Sequence, residues 1–465
     1  MKHFFLISFL SITSLSFSQS ESLDYIFDSE VYTEERTISV FTPESYKSKD
    51  STRKFNVAYL FDGQFQPYYS MVSSIMSYYE QTNEGVPLII VGIHTKNRWG
   101  EFVPLCEGEN TESIEGAEKL SLYLENEVIP LVESNYRTTN FKIGVGHSLG
   151  GTYVINEIVQ DNSIFDAVIA VSPNLTMCNE QIIKKAQDFY TTQPNNLRFI
   201  YTSSGTVGDM ENNFRNSLMH LDSITKKENL EQMYWHCDIL NGLNHMTTFV
   251  PTFNDAYLKL STKLSLLDND LLQMADDSET SIVTRLIEFY ENFTSFSQEE
   301  QLLSIDKIMS HATTLAQYGN NRACIELCEF ANQKLEKEDI SDEEKKEISE
   351  MINSRKVRAE FNALAQEANK LAEAGDYKNA SKLYLDAFEL NLIRATHVVR
   401  MNSVPVLAQA GKTEEAFEQL DLLANKFELG GNDGFVNDPL CQPLHKDKKW
   451  KKLMDKLAKN GELYR

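Results

Sequence analysis

Phe141-Lys142-Ile143-Gly144-Val145-Gly146-His147-Ser148-Leu149-Gly150-Gly151 places a β-prone run directly before a Gly-x-Ser-x-Gly turn, with a helix-compatible run behind it. Alone, that pattern arises often by chance. Between a strand and a helix it has a mechanism: the serine sits strained at the tip of a tight turn, its hydroxyl exposed and its backbone beside a helix N-terminus that favours negative charge. The residues two before and two after the serine need almost no side chain, and both are glycine. Ser148 is the expected nucleophile.

Outward from this turn the chain alternates between two periods. Thr37–Phe41 alternates polar and apolar residues and stops at Pro43, as an edge or entry strand does. Phe55–Phe61 reads as a strand running into Asp62-Gly63-Gln64, and Pro87–Ile93 is the near-continuous apolar run of a strand covered on both faces. Thr111–Tyr136 has helical spacing, and Leu149–Val159 is the helix behind the serine. Ala167–Val171, Leu197–Thr202 and Gln232–Leu240 complete the strands, the last followed by Asn241-Gly242-Leu243-Asn244-His245. Strands alternating with helices predict a mostly parallel α/β sheet with helices on both faces. Ligands of such sheets bind beyond the carboxyl ends of the strands, where each of these motifs falls.

A serine hydroxyl needs a base within hydrogen-bond reach. In hydrolases with this turn the order along the chain is serine, acid, histidine. Of the nine histidines, His3 lies at the N-terminus, His147 inside the turn, and His311, His397 and His445 beyond the strands. His94 precedes the serine, His220 falls on a helix and His236 within a strand. His245, just past the last strand, is the expected base. The acid is expected in Gly205-Thr206-Val207-Gly208-Asp209-Met210-Glu211, as Asp209 in preference to Glu211, with the N-cap of the next helix as Asp209's competing role. Asp238 is a further candidate, inside a strand. Two main-chain N–H groups are needed to hold a developing oxyanion; position gives them to Leu149 and Gln64, with an ordinary Asp-Gly turn as the alternative at Asp62-Gly63.

These residues, in this order, resemble the esterase D-like (enterochelin esterase-like) family of the α/β-hydrolase superfamily. The resemblance rests on Leu60-Phe61-Asp62-Gly63-Gln64, on Ile89–Ile93 followed by Asn97-Arg98, and on Glu127-Val128-Ile129-Pro130 before Tyr136-Arg137. It continues through the turn itself, Phe165-Asp166 with Ser172-Pro173, and Gly242-Leu243-Asn244-His245. It covers about residues 25–262. It implies a serine ester hydrolase with Ser148 as nucleophile, His245 as base, Leu149 and Gln64 as oxyanion donors, and Arg98 at the substrate or bracing the site. No metal or organic cofactor is implied. The substrate is a small-molecule ester, carbohydrate-linked or siderophore among the classes; an acyltransferase and a non-catalytic interaction protein are the alternatives.

The chain is 465 residues long, more than one ordinary domain, and its formal charge of −24 argues against nucleic acid or an anionic membrane as partner. Met1-Lys2-His3, the apolar run Phe4–Phe17 and the small residues before Gln19 read as a secretory leader over 1–18, so the expectation is an exported protein without a transmembrane anchor. The six cysteines match no zinc spacing and are expected as core residues. After the α/β domain, 263–282 reads as an acidic linker and 283–465 as helical. Ala368, Leu371, Gly375, Tyr377, Ala380, Tyr384 and Ala387 recur 36 residues on as Val404, Leu407, Gly411, Thr413, Ala416, Leu420 and Leu423, with a weaker copy near Gly319. The pattern resembles tetratricopeptide-like helix pairs, whose concave face suits a protein partner; packing or assembly is the equal alternative.

Overall fold

The computed structural model describes residues 22–47, 53–106, 115–192, 197–228, 233–276, 280–297, 303–390 and 396–462. The expected leader lies outside them. Eight strands form one sheet: β1 (Ser22–Ser29), β2 (Glu34–Phe41), β3 (Phe55–Phe61), β4 (Leu88–Ile93), β5 (Thr138–His147), β6 (Ala167–Val171), β7 (Arg198–Val207) and β8 (Met233–Asn244). Their spatial order is β1-β2-β4-β3-β5-β6-β7-β8. β2 runs antiparallel to β1 and β4, and every other neighbouring pair is parallel. This is the α/β-hydrolase sheet, with the serine turn at the carboxyl end of the central β5.

The helices of this part are α1 (Gln66–Gln81), α2 (Arg98–Phe102), α3 (Gly116–Tyr123), α4 (Ile129–Asn135), α5 (Leu149–Ile158), α6 (Met177–Thr192), α7 (Asp209–Glu228) and α8 (Phe249–Leu264). The pleat sorts the strand side chains onto two cores. Val57, Tyr59 and Phe61 of β3 pack with residues of α3 to α7, while Ala58 and Leu60 pack with α1 and α8. Burial on both faces is why β3, β4 and β6 are almost wholly apolar. The helix expected over 111–136 is interrupted. Its described part is α3, a π-helical turn over Leu124–Val128, then α4. Pro130 has no N–H for an i→i−4 bond, and Ile129 N–H reaches back to Leu124 instead.

Among the described residues, those within 1–268 and 289–301 form one compact unit and those within 269–288 and 302–465 another. The boundary is therefore not a single cut after 262. Phe296 returns to the first unit and stacks edge-on against Phe141 of β5, ring centroids 4.9 Å apart. The acidic stretch read as a linker is helical over Asp268–Asp276 (α9), and α10 (Ile282–Ser297) follows.

The second unit is all helical: α11 (Ile305–Gln317), α12 (Asn321–Leu335), α13 (Asp342–Glu373), α14 (Tyr377–Glu389), α15 (His397–Gln409), α16 (Thr413–Asp421), α17 (Asp433–Val436) and α18 (Lys448–Glu462). Three turns share one construction. Gly319, Gly375 and Gly411 are left-handed, with φ of 84°, 79° and 76°. In each, the glycine N–H and the next N–H return to carbonyls of the preceding helix: Ala316 and Leu315, Ala372 and Leu371, Ala408 and Leu407. These bonds satisfy the carbonyls left open at a helix C-terminus, and glycine takes the left-handed position without strain. The sequence repeat is thus a repeated helical hairpin.

The cysteines divide. Cys106 and Cys178 form a disulfide, against the expectation of core packing for each. Cys324 and Cys328 of α12 are buried one turn apart and free, Cys441 is buried and free, and Cys237 is half-buried and free. Among the described residues no helix is long and apolar enough to cross a membrane, and no group of three or more His, Cys, Asp or Glu side chains could hold a metal ion.

Candidate active site

Ser148 has φ 59° and ψ −117°, a region closed to most residues that bear a Cβ, so the elbow is strained as the motif requires. Its N–H is held by the Val171 carbonyl at 2.9 Å. A Cβ on Gly146 would lie 2.2 Å from the Gly150 backbone, and one on Gly151 would lie 3.1 Å from the Val171 oxygen. The first clash is with main chain that cannot yield, which is why the turn admits no side chain there. Leu149 opens α5, so its N–H is among the helix N-terminal donors that have no intrahelical partner.

His245 follows β8 directly. Its Nδ1–H donates to Glu211 Oε1 at 2.6 Å, which leaves Nε2 as the basic nitrogen. The partner is Glu211 and not Asp209. Asp209 is the first residue of α7 and is exposed, while Glu211 is 1% exposed. The second Glu211 oxygen accepts from Ser204 Oγ at 2.7 Å and from the Gly205 N–H at 2.8 Å. Burial pushes the Glu211 carboxyl up, but the hydrogen bonds from His245, Ser204, Gly205 and Ser172 outweigh it and hold the group down at about 2. A buried carboxylate with both oxygens satisfied stays ionised. A first-turn aspartate in water has no reason to turn inward. Asp238, the further candidate, bonds Tyr201.

The remaining histidines are engaged elsewhere in the described structure. His94 meets Ser39 at 2.9 Å, His220 meets Glu180 at 3.1 Å, and His236 stacks on Tyr201.

Gln64 lies in the loop after β3. Its Oε1 accepts the Thr95 N–H at 2.9 Å, which ties this loop to the one after β4. The side-chain oxygen is thus occupied in joining the two loops. Gly63 allows the close approach: a Cβ there would lie 2.5 Å from the Gly92 backbone. Asp62, left-handed at φ 59°, is buried. Both its oxygens accept from Arg98 Nε at 3.0 Å, and Arg98 Nη2 also donates to the His147 carbonyl at 3.3 Å. Arg98, assigned from sequence to substrate or bracing, therefore braces the elbow against the Asp62 loop. It keeps 40% of its side chain exposed. The helix α2 that carries it is held by Glu101, a buried partner of Arg36 at 2.6 Å that also accepts the Lys96 and Asn97 N–H groups.

Three elements escaped sequence reading: Ser204 with Gly205 as anchors of Glu211, Asp62 as the partner of Arg98, and Tyr68, whose hydroxyl meets His147 Nδ1 at 2.7 Å. Each signal is a contact across distant segments, and one sequence carries no mark of it.

The profile of the family described as Putative esterase matches residues 29–260. Those residues belong to that family, and the chain is a carboxylic ester hydrolase. An IroE-like serine hydrolase from Shewanella oneidensis superposes with a TM-score of 0.53 at 17% identity, over 72% of this chain and 99% of that one. An uncharacterised protein from Capnocytophaga ochracea gives 0.54 at 14% identity, over 79% and 94%. At these identities the likeness is one of fold, and both matches extend beyond the esterase unit. No curated protein matches the sequence.

Proposed function

We propose that this esterase works through an acyl-enzyme on Ser148, with His245 as general base and Glu211 as the acid that orients it. The observation that carries the reading is the His245–Glu211 pair at 2.6 Å, placed just past the carboxyl ends of strands next to the strained elbow. Ser148 attacks the ester carbonyl as His245 Nε2 takes its proton. The Leu149 and Gln64 N–H groups receive the oxyanion. The imidazolium then protonates the leaving alcohol, and water repeats the sequence to release the acid. Glu211 keeps the imidazole in one tautomer and stabilises its cation without itself taking the proton.

The substrate in this reading is a small-molecule ester, with carbohydrate-linked and siderophore esters as the classes to screen. Export is supported by the Cys106–Cys178 disulfide, a bond that persists in oxidising compartments. A protein partner would have a polar cavity of about 690 Å³ in the helical unit, lined by Arg322, Gln366 and Lys370 and by buried Asn321.

Hydrolysis of p-nitrophenyl acetate and butyrate tests the mechanism. Turnover by the intact chain and its loss in both Ser148→Ala and His245→Ala support it. Equal turnover by wild type and Ser148→Ala would exclude it.

A further inference from the structure

His147 precedes the nucleophile, yet the hydrolytic steps above do not use it. It is 3% exposed and engaged at both ring nitrogens. Nε2 lies 2.8 Å from the main-chain oxygen of His245, and Nδ1 lies 2.7 Å from the Tyr68 hydroxyl. A carbonyl can only accept, so Nε2 carries the hydrogen; in the neutral ring Nδ1 then accepts from Tyr68. The two imidazoles pack tilted at 42° with centroids 4.4 Å apart, and Phe249 lies edge-on to His147 at 6.0 Å.

We propose that His147 is a positioning residue: its ring is the spacer that sets the base loop against the nucleophile. The His245 carbonyl accepts a second bond from Thr248 Oγ1 at 2.9 Å, so the main chain of the base is fixed on one side by its own loop and on the other by the elbow. The same string reaches the third part of the site. Tyr68 lies in the first turn of α1, its N–H on the Phe65 carbonyl, directly after the Gln64 loop. Arg98 returns from the other direction, holding the His147 carbonyl and Asp62 together. Nucleophile, base and oxyanion loop are therefore referenced to one buried ring. Its own burial and the nearby His245 and Arg98 disfavour the charged form, so the ring stays neutral in the working enzyme and does not compete with His245 for the proton.

The proposal rests on the Ser148–His245 reading, and its test keeps the two apart. Steady-state hydrolysis of p-nitrophenyl butyrate is compared for wild type, Ser148→Ala, His147→Phe, His147→Gln and Tyr68→Phe. Phenylalanine keeps the ring and removes both hydrogen bonds; glutamine restores a donor near Nε2. The expected result is a fall in kcat of about 100-fold for His147→Phe with KM nearly unchanged, since small displacements of reacting groups cost about that much. His147→Gln recovers at least about a tenth of wild-type kcat on the same geometric argument. A folded His147→Phe enzyme with wild-type kcat overturns the proposal, as do equal losses in the Phe and Gln variants. If His147→Phe does not fold, Tyr68→Phe decides: lowered kcat at constant KM supports the spacer, and unchanged kcat refutes it. Wild-type activity in Ser148→Ala would overturn the catalytic reading together with this one.

Discussion

At the scale of single residues, two carboxylates two positions apart have opposite fates. Sequence places Asp209 and Glu211 in one loop and favours the first; only the fold shows that Ser204 and the Gly205 N–H face the second. Glu211→Gln is expected to lower kcat by about 10²- to 10⁴-fold, while Asp209→Asn leaves it within a few-fold; the range follows from loss of the orienting acid in serine hydrolases. Parallel kinetics of the two variants check this. A second expectation concerns acid stability. Burial pushes the His147 ring down to about 4, helped by His245 and Arg98 and opposed by its bond to the His245 carbonyl and by Glu211. As pH falls below the ordinary histidine value of about 6.5, the unfolded chain takes up a proton that the folded chain refuses. His147 therefore contributes stability that is whole above pH 6.5 and is lost as pH drops to about 4. Denaturant titrations across that window should show a shallower decline in His147→Gln than in wild type.

At the scale of elements, legibility followed burial. β3 and β6 coincide with the runs Phe55–Phe61 and Ala167–Val171, because a strand covered on both faces has no polar face to blur it. β1 was not legible: it is an edge strand with Leu23 and Ile26 exposed, so its apolar residues mark no inner face. His245, the proposed base, could be singled out from sequence because the last strand fixes which histidine follows it. The His245–Glu211, Tyr68–His147 and Asp62–Arg98 bonds could not, since each joins segments by contact alone. The elbow yields its own prediction. Gly146→Ala places a methyl 2.2 Å from the Gly150 backbone, and overpacking against main chain costs about 1–3 kcal/mol or more. Gly434→Ala, where nothing lies within 4 Å, is the control. Thermal melts should show a marked loss of Tm in the first variant and little change in the second.

At the scale of the whole molecule, the esterase unit is closed by features far apart in sequence. Phe296, near the end of α10, covers Phe141 of β5. The Cys106–Cys178 bond spans 72 positions, linking the segment after α2 to the start of α6. In the chain-entropy account a loop of that length is worth about 4 kcal/mol. Reduction should therefore lower the melting temperature of wild type and leave a Cys106→Ser, Cys178→Ser double variant unmoved, as calorimetry with and without reductant would show. Among its described residues the helical unit repeats one glycine-closed hairpin three times.

The central proposal is that Ser148 carries the acyl group while His245 takes the proton of its hydroxyl. Incubation with a fluorophosphonate ester, followed by mass spectrometry of the digested protein, tests this most directly. The account predicts one covalent adduct on the peptide containing Ser148, absent in Ser148→Ala and formed far more slowly in His245→Ala. An adduct on another residue, or none on folded wild-type protein, would contradict it.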